Sequence, residues 1–355
     1  MPKNICLAID AMGGDFGPAV NVPGSLAAAR ETGAAIILVG DESAIRRELE
    51  CRPHADVSVE IVHTTQIAGM AEKPSEILRR KKDSSLQVAF RLVRDGRAHG
   101  VVTAGNSGAA LACGMFILGR ISGVDRPALA TILPTLRGPI VLTDVGANAD
   151  CKPYNLVQFG LMGGVLAEYV LNIPKPKVGI LSIGEEEGKG NALTKEAYAL
   201  LKGSSLNFVG NVEGRDLYTG NTDVVVCDGF TGNVVLKLSE GLGSALASML
   251  KTELKKSVWS RLGTLISLPA FRRFWKKIDY AEYGGAPILG LNGIAMVCHG
   301  ASNARAITTA LQQAATFAQK DANAHIVQGL RANTELSLFS RAERAPTAAE
   351  QGAAL

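Results

Sequence analysis

The sequence predicts an α/β protein: three layers, α/β/α, around a mainly parallel, doubly wound sheet. Three observations carry this. Short apolar runs rich in Val and Ile recur along the chain, continuous rather than alternating, as in strands covered on both faces. Helical patterns fall between them, and β/α alternation argues for parallel strands. The runs end in loops of Gly, Asn and Asp, where open α/β sheets bind ligands.

Taken in order, strands are expected at Ile5–Ile9, Ile36–Val39, Val57–Val62, Val101–Thr103, Leu129–Leu133, Ile140–Thr143, Val178–Ile183, Phe208–Val209, Val224–Cys227 and Ala295–Cys298. Helices are expected at Pro18–Thr32, Glu42–Glu50, Leu86–Asp95, Asn155–Leu171, Ala192–Leu201, Asn233–Glu253 and Asn303–Lys320. No linker divides the chain, so residues 1–335 read as one catalytic unit, and 336–355, without pattern, as a disordered tail.

At 355 residues, 47% hydrophobic and 20% charged, the chain can bury a large core. None of its six cysteines forms a C-x-x-C pair and its five histidines lack metal-ligand spacing, so neither a metal nor a disulfide is expected. The first apolar run is too short for a signal peptide, and Gln158, Glu168 and Asn172 interrupt the apolar stretch 156–173, which reads as a buried helix.

The net charge of +4 is concentrated. Lys251–Lys277 carries +7 and leaves −3 for the remainder. Here Leu254, Val258, Leu262, Leu265 and Ile266 recur at helical spacing, Ser267-Leu268-Pro269 is expected to break the helix, and Phe271, Phe274, Trp275 and Ile278 share a face beyond it. The reading is a basic, amphipathic two-helix hairpin at 254–278. It fits an anionic bilayer or an acidic protein, and equally a dimer interface or an ordinary core pair. Arg272, Arg273, Lys276 and Lys277 are its candidate protein contacts, and Leu262 and Leu265 its candidate membrane contacts.

Six loops carry candidate chemistry. The first is Asp10-Ala11-Met12-Gly13-Gly14-Asp15, neither a dinucleotide fingerprint nor a Walker loop. Its Asp10 and Asp15 would repel phosphate unless a cation balances them. Asn106-Ser107 and Asn148 lie in the next two. Gly188-Lys189-Gly190-Asn191 presents a cation and free N–H groups at a helix start, a seat for an anion, or else a solvated surface turn, which the acid run Glu185-Glu186-Glu187 favours. Asp228 to Asn233 and His299 to Asn303 follow late strands; N-capping accounts for Asn233 and Asn303 as readily as ligand binding does. Arg79-Arg80-Lys81-Lys82 offers a second anion contact or a solvated basic face, with Ser84 or Ser85 near a helix start. No nucleophile elbow or Cys–His pair appears, so an enzyme here would join two bound substrates directly.

Together these stretches are recognisable. Ala8-Ile9-Asp10-Ala11-Met12-Gly13-Gly14-Asp15, Lys81-Lys82-Asp83-Ser84-Ser85, Thr103-Ala104-Gly105-Asn106-Ser107-Gly108, Asp144-Val145-Gly146-Ala147-Asn148, Glu185 to Asn191, Val212 to Asp216, Cys227 to Asn233 and Tyr283 to Pro287 resemble, in order, the PlsX phosphate acyltransferase family. The resemblance implies the fold of the isocitrate/isopropylmalate dehydrogenase and phosphotransacetylase group. It implies transfer of a long-chain acyl group from acyl carrier protein to inorganic phosphate, without a cofactor, giving acyl phosphate for a membrane glycerol-3-phosphate acyltransferase. It also implies a cytoplasmic homodimer, peripheral to the inner face of the cell membrane, with no nucleic-acid partner. Lys189 and Asn233 match the family's proposed catalytic Lys and Asn. His299 is assigned to the leaving thiolate, and Asp10, Gly13, Gly14, Asp15, Lys82, Asn106, Ser107, Asn148, Asn191 and Asp228 to one shared phosphate and substrate wall. The rivals are a dehydrogenase of the same fold group, a short-chain phosphotransacetylase using coenzyme A, and a non-catalytic membrane scaffold.

Overall fold

The computed structural model describes residues 5–278 and 284–333, with the backbone alone at 275–278. Its strands are β1 (Cys6–Asp10), β2 (Ala35–Gly40), β3 (Val59–His63), β4 (Gly100–Thr103), β5 (Ala128–Pro134), β6 (Pro139–Thr143), β7 (Lys177–Ser182), β8 (Asn207–Glu213), β9 (Val224–Val226), β10 (Ala286–Leu289) and β11 (Ile294–Val297). They form one mixed sheet in the order β3-β2-β1-β4-β11-β10-β5-β6-β9-β7-β8. The helices are α1 (Pro18–Thr32), α2 (Glu42–Glu50), α3 (Pro74–Arg80), α4 (Ser85–Arg94), α5 (Ser107–Cys113), α6 (Pro153–Val165), α7 (Ala192–Lys202), α8 (Gly229–Lys255), α9 (Val258–Ile278), α10 (Ala304–Gln319) and α11 (Ala322–Ala332).

The sheet contains two parallel blocks. From β3 to β11 all neighbours are parallel, and so are β6, β9, β7 and β8. Between them, β10 is antiparallel to both β11 and β5, and β5 to β6. Three reversals leave the second block running opposite to the first. The strand β10 lies outside the expected set: Pro287 argues against a central strand, yet it pairs with Met296.

Strand alternation produces the layers. In β2, Ile36 and Leu38 enter one core with α1 and α10, while Ile37 and Val39 enter another with α4 and α5. In β9, Val224 and Val226 pack toward α6, α7 and α11, and Val225 packs on the opposite face, against Val235 and Leu236 of α8. Sequence periodicity misses α3, α5 and α11. The first two are a single seven-residue stretch each, too short to show an apolar repeat.

The basic hairpin differs from expectation. Its arms are α8 and α9, its turn falls at Lys256 and Ser257, and α9 runs through Pro269 without ending. Pro269 removes one helical N–H, and on this exposed helix water can satisfy the freed carbonyl. No helix among the described residues is long and apolar enough to cross a membrane. The expected tail at 336–355 lies outside the described residues.

Candidate active site

The predicted residues gather in two loop clusters, one on each parallel block. The first follows β1, β4 and β11, adjacent parallel strands in register at Ile9↔Val102 and Val297↔Thr103. Asp10, 2% exposed, lies beneath it. Its Oδ2 accepts from Thr103 Oγ1 at 2.8 Å, and Gly105 N in turn donates to that hydroxyl at 2.9 Å. Gly13 rests directly on the carboxylate: a Cβ there would stand 2.6 Å from Oδ2 and 2.9 Å from Gly105 N, so only glycine fits. Gly14 turns with φ +84°, and Asp15 N donates to Gly300 O at 2.8 Å, tying the first loop to the last. Asn21, buried in α1 and unnoticed in the sequence, donates to Ala11 O at 3.0 Å and Gly13 O at 2.9 Å. An Asn inside a helix carries no sequence signal for this clamp.

Asp10 is therefore a support, not an exposed wall. Burial pushes its carboxyl above the ordinary carboxylate value, against the lowering influence of Ser85, Thr103 and the Met12 and Gly13 N–H groups. Neither Asp10 Oδ1 nor Ser85 Oγ completes a hydrogen bond of ordinary geometry. An acid with a raised native pKa binds more protons folded than unfolded, so stability falls as pH rises from the unfolded value, about 4, through the native one. The melting temperature of Asp10→Asn relative to wild type is expected to rise progressively as pH increases above about 4. A difference independent of pH contradicts this.

Asn106 is similarly committed. It caps α5 by accepting from Ala109 N at 2.9 Å and donates to Met70 O at 3.0 Å and Glu72 O at 2.9 Å. Ser107, in the first turn of α5, is exposed. Exposed His299 accepts from Ala301 N at its Nδ1, 3.2 Å away, which leaves the proton on Nε2. Lys81 pairs with Glu72, whereas Lys82 is exposed. Ser84 caps α4, as expected.

The second cluster follows β6, β9 and β7, parallel neighbours in register at Thr143↔Val226 and Val226↔Ile180. At its base Asp144 is fully buried. Its Oδ1 accepts from Leu129 N (2.9 Å) and Ala147 N (3.0 Å), its Oδ2 from Asn148 N (2.7 Å) and Nδ2 (2.8 Å). Burial raises its pKa, and these donors oppose the rise. Asn148 also donates to Pro127 O at 2.8 Å, so both of its amide hydrogens are used. These bonds give Asn148 a structural role in holding the loop.

Helix α8 begins against this loop. Asp228, not Asn233, is its N-cap, accepting from Thr231 N at 2.8 Å and Thr231 Oγ1 at 2.7 Å. Gly229 N donates to Asn148 O at 2.7 Å. A Cβ on Gly232 would lie 1.9 Å from Asp144 O. The early start leaves Asn233 exposed in the second turn, its side chain over Gly146. Beside it, Asn191 caps α7, accepting from Thr194 N at 2.9 Å. Lys189 is exposed and has no ion pair among the described residues, although three acids precede it: Glu187 pairs with Lys202 and Glu185 with Arg215.

Asp10, Asn106, Asn148, Asn191 and Asp228 thus shape loops, while Lys189, Asn233, Ser107 and Lys82 face solvent and His299 is exposed. Among the described residues no group of three or more His, Cys, Asp or Glu could hold a metal ion. Lys276 and Lys277 lie outside the described side chains, Arg272 and Arg273 are exposed on α9, and Leu262 and Leu265 are 50% and 69% exposed.

A family model described as "Fatty acid synthesis protein" matches residues 5–325. A curated phosphate acyltransferase of Nitratidesulfovibrio vulgaris (strain DP4) is 60% identical over 95% of this chain and 98% of its own. One from Lawsonia intracellularis is 58% identical over 95% and 97%. The chain belongs to the phosphate acyltransferase family. This enzyme's fold is also found in solved structures. A phosphotransacetylase from Streptococcus pyogenes superposes with a TM-score of 0.64 at 16% identity, over 90% of this chain and 95% of that one. A branched-chain phosphotransacylase from Enterococcus faecalis V583 gives 0.54 at 15%, over 89% and 99%. At such identity the likeness is one of fold, and it agrees with the phosphotransacetylase-like architecture expected from sequence.

Proposed function

We propose that this phosphate acyltransferase moves a long-chain acyl group from acyl carrier protein to inorganic phosphate, with Lys189 and Asn233 at the reacting centre. The observation that carries the reading is the unpaired Lys189 ammonium on the same sheet edge as the uncommitted Asn233 amide, between the N-termini of α7 and α8. Oriented N–H groups and a cation favour a phosphate there.

Phosphate is anionic at neutral pH and needs little general base. Its oxygen attacks the thioester carbonyl, the tetrahedral oxyanion collapses, the C–S bond breaks and an acyl phosphate forms. The thiol departs readily as a thiolate, since its pKa is about 8.5. The protein's tasks are to hold phosphate near the carbonyl and to stabilise the oxyanion. Lys189 orients phosphate, Asn233 donates to phosphate or oxyanion, and His299 Nε2–H is assigned to hydrogen-bond the departing thiolate, which takes its proton from water.

His299 belongs to the other loop cluster, so this role requires both clusters to face one cleft. Sheet twist supports that arrangement. Neighbouring strands rotate by about 20–25°, and the five steps from β4 to β9 accumulate about 100–125°. Two blocks of opposite sense, rotated that far, have carboxyl ends that converge rather than oppose.

The hairpin is assigned to acyl carrier protein and an anionic membrane surface, where a membrane glycerol-3-phosphate acyltransferase would take the product, and the enzyme to a homodimer. Exposed Arg272 and Arg273 support carrier-protein docking. The Arg272→Glu/Arg273→Glu variant is expected to raise KM for the acyl carrier protein thioester about tenfold or more with little change in kcat. An unchanged KM rejects docking there. Comparing carrier-protein and coenzyme A thioesters of one acyl chain tests the donor: preference for coenzyme A would overturn the assignment.

A further inference from the structure

Between α8 and α9, toward their turn, lies a cleft of about 680 Å³. Leu254, Leu265, Leu268 and Phe271 give it apolar walls. Lys251, Lys255, Arg261 and Arg272, all exposed, line it too, and no acid among the described residues does. Among the described residues none of the four cations takes part in an ion pair; Arg261 donates to Lys255 O, at 3.1 Å. The exposed apolar residues Val258, Trp259, Leu262 and Ile266 of α9 do not line the cleft, so of the two leucines expected to act together Leu265 lines the cleft and Leu262 lies on the adjoining outer face.

We propose that this cleft holds the acyl chain of the enzyme's own product, a long-chain acyl phosphate, with its phosphate among these four cations. The proposal rests on the reading above that the product is long-chain. Charge complementarity selects the occupant. Apolar walls edged by unbalanced cations match an amphiphile with an anionic head. The volume lies within the range of about 300–1,000 Å³ found for sites of single small molecules. A bilayer would meet the outer face of α9 instead. The cleft would keep the chain out of water after C–S cleavage, between the site of synthesis and the next enzyme.

Dodecyl phosphate, used below its micelle concentration, is a stable probe. Both tryptophans of the chain, Trp259 and Trp275, lie on α9, so intrinsic fluorescence reads binding there. The expected result is a saturable emission change whose Kd rises at least tenfold in Arg261→Glu/Arg272→Glu and in the milder Lys251→Gln/Lys255→Gln, with circular dichroism unchanged. Leu262→Glu, outside the cleft, should leave Kd within twofold. Absence of saturation overturns the proposal, and so does equal weakening by Leu262→Glu, which would mark adsorption on the outer face. So does loss of probe binding as protein concentration rises with sedimentation of a larger species, which would mark a second copy in the cleft. Phosphate-dependent thiol release, measured on the same preparations, separates the two claims. Its absence in wild type removes the enzymatic reading, whereas normal release without probe binding removes only the cleft.

Discussion

Lys189→Ala is expected to lower phosphate-dependent acyl transfer by about 100-fold or more while the fold persists. The fold should survive because Lys189 is exposed and unpaired, and such surface changes usually alter stability by less than about 0.5 kcal/mol. The activity should fall because the bound phosphate loses its orienting cation, and Lys202 and Arg215 of the same region are paired with Glu187 and Glu185. Removing one preorganised group that meets developing negative charge costs about 10²–10³ in rate. Asn233→Ala should act in the same direction, since its amide is uncommitted. A folded Lys189→Ala enzyme with near-normal turnover would take the lysine out of the site.

Gly232→Ala carries the largest expected effect on stability. Its new Cβ would stand 1.9 Å from the carbonyl oxygen of Asp144, a contact that only backbone displacement can relieve. The start of α8 would have to move, straining the 2.7 Å hydrogen bond from Gly229 N to Asn148 O and shifting Asn233 from its place over Gly146. A loss of about 3 kcal/mol is expected, at the upper end for overpacking, together with loss of turnover. Gly241 of the same helix is the control. A Cβ there meets nothing within 4 Å, so Gly241→Ala should be neutral or stabilise by up to about 1 kcal/mol through helix propensity. Chemical denaturation of the two variants measures the contrast. Equal stability would mean that the tight seat of α8 on the 144–148 loop is not a constraint.

The sequence made the layers legible because the inner strands bury both faces. Continuous runs such as Ile36–Val39 mark such strands, and α1 and α2 match their expected limits. The reversal of strand sense was not legible. It depends on β10, a four-residue strand containing Pro287, which pairs with the next strand, β11, on one side and with the distant β5 on the other. The site was legible as loops rather than as atoms. An Asn or Asp after a strand reads the same whether its side chain is exposed, as that of Asn233 is, or turned inward to backbone, as those of Asn148 and Asn106 are. Local sequence cannot distinguish these, because the partners, Pro127 O for one and Met70 O for the other, are set by tertiary packing. The first turn of α8 illustrates the same limit. Its helical pattern becomes apolar only after Asn233, but the cap is Asp228, five residues earlier.

The most direct test of the central claim is product formation by the purified enzyme from a long-chain acyl carrier protein thioester, with and without inorganic phosphate. Thiol release and acyl phosphate, trapped as the hydroxamate, are measured together. Equal amounts of thiol and acyl phosphate, both strictly dependent on phosphate and both lost in Lys189→Ala, are the predicted result. Thiol release without phosphate, or no release under either condition, would contradict it.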